Sequence, residues 1–171
     1  MKRPISFVTA LLLSLSLLCL CGCNVELPEV SEPTPTRTAL VLLDIDIASL
    51  LTKAEMESAV GFSLRDPQVS NEGRMLVAIS EGGTASLSIS VEQSTLDKFR
   101  DALPKVESDD LEPAPNLAEE AWWLSSGHTL FLFSRGYTVS INISDRDADE
   151  ESLLLASRGL ASLICDRLPM K

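Results

Sequence analysis

The chain reads as an α+β protein, an antiparallel sheet of about five strands covered by helices in the order α-β-β-α-β-β-β-α. Three observations predict this. Ala85, Leu87, Ile89 and Val91 alternate with Ser86, Ser88 and Ser90. Tyr137, Val139, Ile141 and Ile143 alternate in the same way with Thr138, Ser140, Asn142 and Ser144. Strands with one apolar and one polar face belong to antiparallel sheets. Near the C-terminus, Leu153, Leu160 and Ile164 recur at helical spacing and mark a helix with one buried stripe.

In chain order, Leu43-Asp44-Ile45-Asp46-Ile47 alternates and suggests a short leading strand. Thr52-Lys53-Ala54-Glu55 is a capping box, in which the Thr52 hydroxyl accepts from the Glu55 amide and the Glu55 carboxylate from the Thr52 amide. It opens a helix over residues 53–60, and Gly61 stops it. Residues 74–80 and 84–92 are strands joined by Glu81-Gly82-Gly83. A second helix starts at Ser94 or Thr95, aligns Leu96, Phe99 and Leu103, and ends before Pro104. Residues 105–116 are acidic and proline-containing, which reads as a surface loop. Residues 121–125, 129–133 and 137–144 are three successive strands, turning at Ser126-Gly127 and at Arg135-Gly136. The last helix runs from about Asp149 to Leu168, with Asp147 and Glu150 as candidate caps and Pro169 at its end.

The 171 residues suit one domain. With 14 basic and 25 acidic side chains the formal charge is −11, which repels nucleic acid and opposes adsorption to anionic lipid by charge alone. The chain nevertheless begins with Lys2 and Arg3, followed by an apolar run from Ile5 to Leu20 broken only by Ser6, Thr9, Ser14 and Ser16. This is the pattern of a secretory signal peptide. It is too short to span a hydrocarbon core that needs about 20 apolar residues.

The run closes on Leu20-Cys21-Gly22-Cys23, and here the sequence resembles bacterial lipoproteins. Their lipobox places an aliphatic residue three positions before an obligatory cysteine and a small residue directly before it. Leu20, Gly22 and Cys23 fit; Cys21 is the worse candidate for acylation because Leu20, before it, is not small. The resemblance implies diacylglycerol on the Cys23 thiol and cleavage between Gly22 and Cys23. It also implies attachment to the cell membrane on its extracytoplasmic face, with the acyl chains in the bilayer as a stable double anchor. Asn24 is not the aspartate that retains such proteins at an inner membrane, so in a host with two membranes the outer one is open to it.

The implied organisation is a removed segment 1–22, a lipidated cysteine and tether over 23–38, and a single α+β domain over 39–171. The tether carries Pro28, Pro33 and Pro35 among Thr, Ser and Glu, a composition that favours extended chain of about 3.1 Å per residue. Loss of Lys2 and Arg3 leaves 12 basic groups against 25 acids, a charge of −13. Cys19 and Cys21 leave with the signal, and lipidation uses Cys23, so of the four cysteines only Cys165 keeps a free thiol. Leu51-Thr52-Lys53-Ala54-Glu55-Met56-Glu57-Ser58-Ala59-Val60-Gly61, with the element order that follows it, also resembles small lipoproteins of Gram-positive bacteria with a PsbP-like fold. That resemblance implies a non-enzymatic binding or assembly role outside the cytoplasm.

Four groups bear on chemistry. Asp145-Arg146-Asp147-Ala148-Asp149 has the rhythm of a calcium loop, but Glu150 and Ala156 stand where an EF-hand needs Gly and Glu. The bland reading is that these acids charge the start of the last helix. The alternative function they support is a calcium-binding lipoprotein. His128 is the single histidine, beside Gly127 in a hairpin turn, and no Gly-x-Ser-x-Gly elbow surrounds any serine. An envelope hydrolase is therefore the weaker alternative, and no catalytic residue is assigned. Trp122 and Trp123 are adjacent, so on a strand they point to opposite faces. One enters the core; the pair is structural if helices cover both sheet faces and a contact surface if one stays open. The Trp122-Trp123 region, with the acidic segment 107–112 as a charged rim, is the first surface to examine for an envelope protein partner. Cys165, beside Ile164, reads as a small buried apolar residue.

Overall fold

The structure is a computed structural model that describes residues 45–106 and 110–170. Segments 1–22 and 23–38, with Gly22 and Cys23, lie outside the described residues, as do 39–44 and Glu107 to Asp109 of the acidic segment. Helix α1 spans Lys53–Val60, α2 Leu96–Ala102 and α3 Glu150–Arg167. The strands are β1 Gln68–Ser70, β2 Met75–Ile79, β3 Ala85–Gln93, β4 Leu111–Pro113, β5 Glu120–Leu124, β6 Thr129–Ser134 and β7 Tyr137–Asp145. They form one sheet in the order β1-β2-β3-β7-β6-β5-β4 with every pair antiparallel. Among the described residues no helix is long and apolar enough to cross a membrane.

The α+β class and the antiparallel sheet follow the sequence expectation. The strand count and the element order do not. Seven strands replace about five, because β1 and β4 are three-residue edge strands too short to show a period. β4 lies inside the stretch expected to be a surface loop, and it carries Pro113, which an edge strand tolerates. The leading strand is also absent over its described part. Ile47–Ser49 is a 3₁₀ turn capped by Asp46, whose Oδ1 accepts from the Ala48 amide at 3.1 Å. Ile45 and Ile47 are apolar because they plug the core, not because they alternate along a strand.

The two long central strands set the core. Over nine paired residues β3 and β7 match Leu87 with Ile143, Ile89 with Ile141 and Val91 with Val139, all at most 2% exposed. One cross-strand row of the buried face runs Trp123, Leu130, Ile141, Ile89, Leu76 through five strands. Helices α1 and α3 cover this face with Met56, Leu153, Leu160 and Ile164, none above 3% exposed. The capping box forms as expected, with the Thr52 amide 2.8 Å from Glu55 Oε2. Arg167, at the end of α3, then donates to both oxygens of Glu55 and to the Leu50 carbonyl. This pins the start of the domain to its last helix.

Two turns explain the lengths of β5 to β7. Arg135 and Gly136 both have positive φ (51° and 79°), the geometry of a type I′ hairpin between Ser134 and Tyr137. The turn from Ser125 to His128 is tied from outside by Asp110, whose carboxylate accepts from Ser125 Oγ and from the Ser126 amide, both at 2.8 Å. These bonds hold the Asp110 carboxyl below the usual carboxylate range, the Ser126 hydroxyl bond contributing most.

Candidate functional site

Among the described residues the other face of the sheet is only partly roofed. Its single helix among the described residues, α2, has seven residues, capped by Thr95 through the Lys98 amide, and anchors by Phe99 on Phe133 with ring centroids 6.0 Å apart. Across the remainder the paired strands place polar residues in the middle. Ser86 faces Ser144, Ser88 faces Asn142, and Ser90 faces Ser140 with their hydroxyls 2.8 Å apart. Apolar residues flank this stripe on both sides. Met75, Val77 and Ile79 come from β2, the last 44% exposed; Phe131, Trp122 and Leu124 come from β6 and β5.

Trp122 is held in place on this face by its neighbours. Its indole N–H donates to Glu120 Oε1 at 2.9 Å. Arg100, on α2, donates to Glu120 Oε2 through Nε at 2.8 Å and Nη2 at 2.7 Å. The guanidinium and then the indole hold the Glu120 carboxyl below its ordinary range, while Glu120 raises Arg100. A half-buried tryptophan whose N–H is fixed while its ring borders solvent presents a preset apolar plane. Beside it, under the edge of α2, Ser90, Glu92, Phe99, Phe131, Thr138 and Ser140 line a cleft of about 140 Å³.

The structure divides the tryptophan pair. Trp123 is 2% exposed, donates to Glu150 Oε1 at 3.0 Å and stacks on His128 with centroids 6.5 Å apart. It belongs to the core, so the candidate surface contains Trp122 and excludes Trp123. His128 has φ +44° and spends its backbone on the turn and on Ile143. Among the described residues no side chain hydrogen-bonds its imidazole, and its ring stacks on Trp123.

Asp145, Asp147 and Asp149 do not come together. Asp145 Oδ1 accepts from the Asp147 amide at 3.0 Å, and Asp149 is the cap of α3, accepting from the Ser152 amide at 2.8 Å. The cap is therefore Asp149, not Asp147 or Glu150: it directly precedes α3 with extended backbone, while Glu150 is already the first helical residue. Among the described residues no three His, Cys, Asp or Glu side chains converge on a point. The charged rim is reassigned too: Asp110 is committed to its turn, and Glu112 lies on edge strand β4. Cys165 is half-buried, and burial raises its thiol above the ordinary range, which disfavours the reactive thiolate.

Sequence reading missed Arg100, Glu120 and Phe131. Arg100 and Glu120 lie 20 positions apart, so only the tertiary fold brings them together. Phe131 was visible as a strand residue, but its place opposite Trp122 depends on the register of β5 and β6. In comparisons with known proteins, the chain matches no family model, no curated protein and no solved structure.

Proposed function

We propose that this chain is a membrane-anchored, extracytoplasmic lipoprotein whose domain is a non-enzymatic binding or assembly module of the cell envelope. The observation that carries the binding role is the half-roofed sheet face on which Glu120 and Arg100 fix Trp122 in place. A tryptophan held at the edge of an uncovered face is the kind of residue that dominates recognition surfaces. The signal-like start and the lipobox ending at Cys23 support the anchoring half of the reading.

Two measurements test it. Mass spectrometry of the purified protein is expected to find a chain beginning at diacylglyceryl-modified Cys23; an intact segment 1–22 would refute the anchor. Cross-linking at the native membrane, compared with Trp122→Ala, is expected to recover a partner that depends on Trp122. Turnover of ester, peptide or glycan substrates that His128→Ala abolishes would instead make the domain an envelope hydrolase.

A further inference from the structure

We infer that the half-roofed sheet face is a binding site for a neutral oligosaccharide, stacked on Trp122 and Phe131 and hydrogen-bonded along the Ser140–Ser90 hydroxyl pair. This rests on the proposed binding role and names the chemical class of what is bound. Pro113, Trp122, Phe131, Ser140, Ser90 and Met75 are successive cross-strand partners, so they form one row across six strands of a single face. From Trp122 to Ser90 that row covers three strand spacings, about 14 Å at about 4.8 Å each, a length suited to several linked rings.

The order along the row matches the chemistry of a pyranose. A sugar ring offers an apolar C–H face and a rim of hydroxyls, which calls for an aromatic plane beside hydroxyl donors and acceptors. Trp122 and Phe131 supply the plane. Ser140 and Ser90 follow at once, already hydrogen-bonded to each other and each able to make a further bond. Thr138 lines the same cleft, and its Oγ1 is shut off from solvent with no partner among the described residues. Closed to water, that hydroxyl is closed to a ligand as well, and the hydrogen-bonding part of the site rests on Ser140 and Ser90.

Ser86, Ser88, Ser90, Ser140 and Ser144 occupy β3 and β7, where β-branched residues pack best. They fill the polar face of these strands, the usual solvent-side composition of an antiparallel sheet, and they supply the hydroxyls of the row.

Electrostatics selects a neutral ligand. Glu92 is the only charged residue lining the cleft, and Arg74 stands 3.9 Å from it. Arg100, on the roof, is committed to Glu120 at 2.7 Å. No lining residue is cationic, so a phosphate or carboxylate would meet no free positive charge while facing a protein of net charge −11. A polyhydroxylated neutral chain loses nothing by that.

The test uses the full-length, detergent-solubilised protein. Intrinsic tryptophan fluorescence is titrated with cellotetraose, with tetra-N-acetylchitotetraose and, as the anionic arm, with a hyaluronan tetrasaccharide. At least one neutral sugar is expected to give a saturable change with half-saturation on the order of 1 mM, the strength of one aromatic stack and a few hydrogen bonds. Because Trp122→Ala removes the reporter as well as the platform, it is followed by calorimetry and should weaken binding about tenfold or more. The double variant Ser90→Ala/Ser140→Ala deletes both partners of a hydrogen bond, so it should fold normally, keep both tryptophans and bind about fivefold more weakly. Absence of saturable binding to both neutral sugars overturns the inference. So does unchanged affinity in either variant, or tighter binding of hyaluronan. A cross-linked protein partner that depends on Trp122, without saccharide binding, would sink this inference and leave the binding module standing.

Discussion

Replacing each tryptophan by alanine separates the two faces of the sheet. Trp123 is 2% exposed, so Trp123→Ala exposes nearly a full indole socket of about 150–250 Å², for which large-to-small aromatic substitutions cost about 3–5 kcal/mol. It also removes the donor to Glu150 and the surface on which His128 stacks. Trp122 is half-buried, and when its indole is lost Glu120 keeps Arg100, so no buried charge is stranded. Trp122→Ala should therefore cost about 1 kcal/mol. Urea unfolding followed by far-ultraviolet circular dichroism measures both. At about 4 °C per kcal/mol for a domain of this size, the melting temperature should fall by about 12–20 °C for Trp123→Ala and by a few degrees for Trp122→Ala. Equal losses at the two positions, or a Trp123→Ala cost under about 1 kcal/mol, would refute the assignment of faces.

Glu55 titrates at about 2 in the folded chain against an ordinary 4.5, chiefly because Arg167 hydrogen-bonds it. A depressed carboxyl contributes stability that is complete above about 4.5 and disappears as pH falls toward about 2. Thermal melts across that range should show a steeper acid loss for the wild-type chain than for Glu55→Gln, and parallel curves would remove the Arg167 clamp from the account. Ser157 is 0% exposed on α3 with no partner for its hydroxyl among the described residues, so Ser157→Ala should raise stability by about 1 kcal/mol in urea unfolding. A loss of that size would mean the hydroxyl is bonded after all. Gly159 lies within α3, and a Cβ built there meets nothing within 4 Å; Gly159→Ala should add up to about 1 kcal/mol, and destabilisation would mean the open space there is used.

What the sequence made legible was local. The capping box at Thr52, the Gly61 stop and the Arg135-Gly136 turn are each written in a few adjacent residues, and each forms where the chemistry puts it. Alternation in β3 and β7 identified the buried and polar faces correctly, because period-two burial needs no tertiary information. Edge strands β1 and β4 escaped for the opposite reason. Three residues show no period, and their pairing depends on a neighbour already being in place. The Ile45 and Ile47 alternation misled because a 3₁₀ turn capped by Asp46 can drop two apolar side chains into a core as readily as a strand can.

The candidate site was hidden for a reason of accounting between layers. A polar strand face reads as solvent-facing wherever it occurs, and nothing along the chain says which helix will cover which side. Here α1 and α3, the longer helices, both go to the face of Met56, Leu130 and Ile164. Among the described helices only α2 remains for the opposite face, and its seven residues span about 10 Å at 1.5 Å per residue. Seven strands at about 4.8 Å make a sheet close to 30 Å wide, so among the described residues a helix of that length cannot roof the whole of that side. The serines of β3 and β7 and the aromatic pair Trp122 and Phe131 fall in or beside that uncovered width. Their significance depends on the mismatch between sheet and helix dimensions, a quantity that appears only when the strands are counted and ordered.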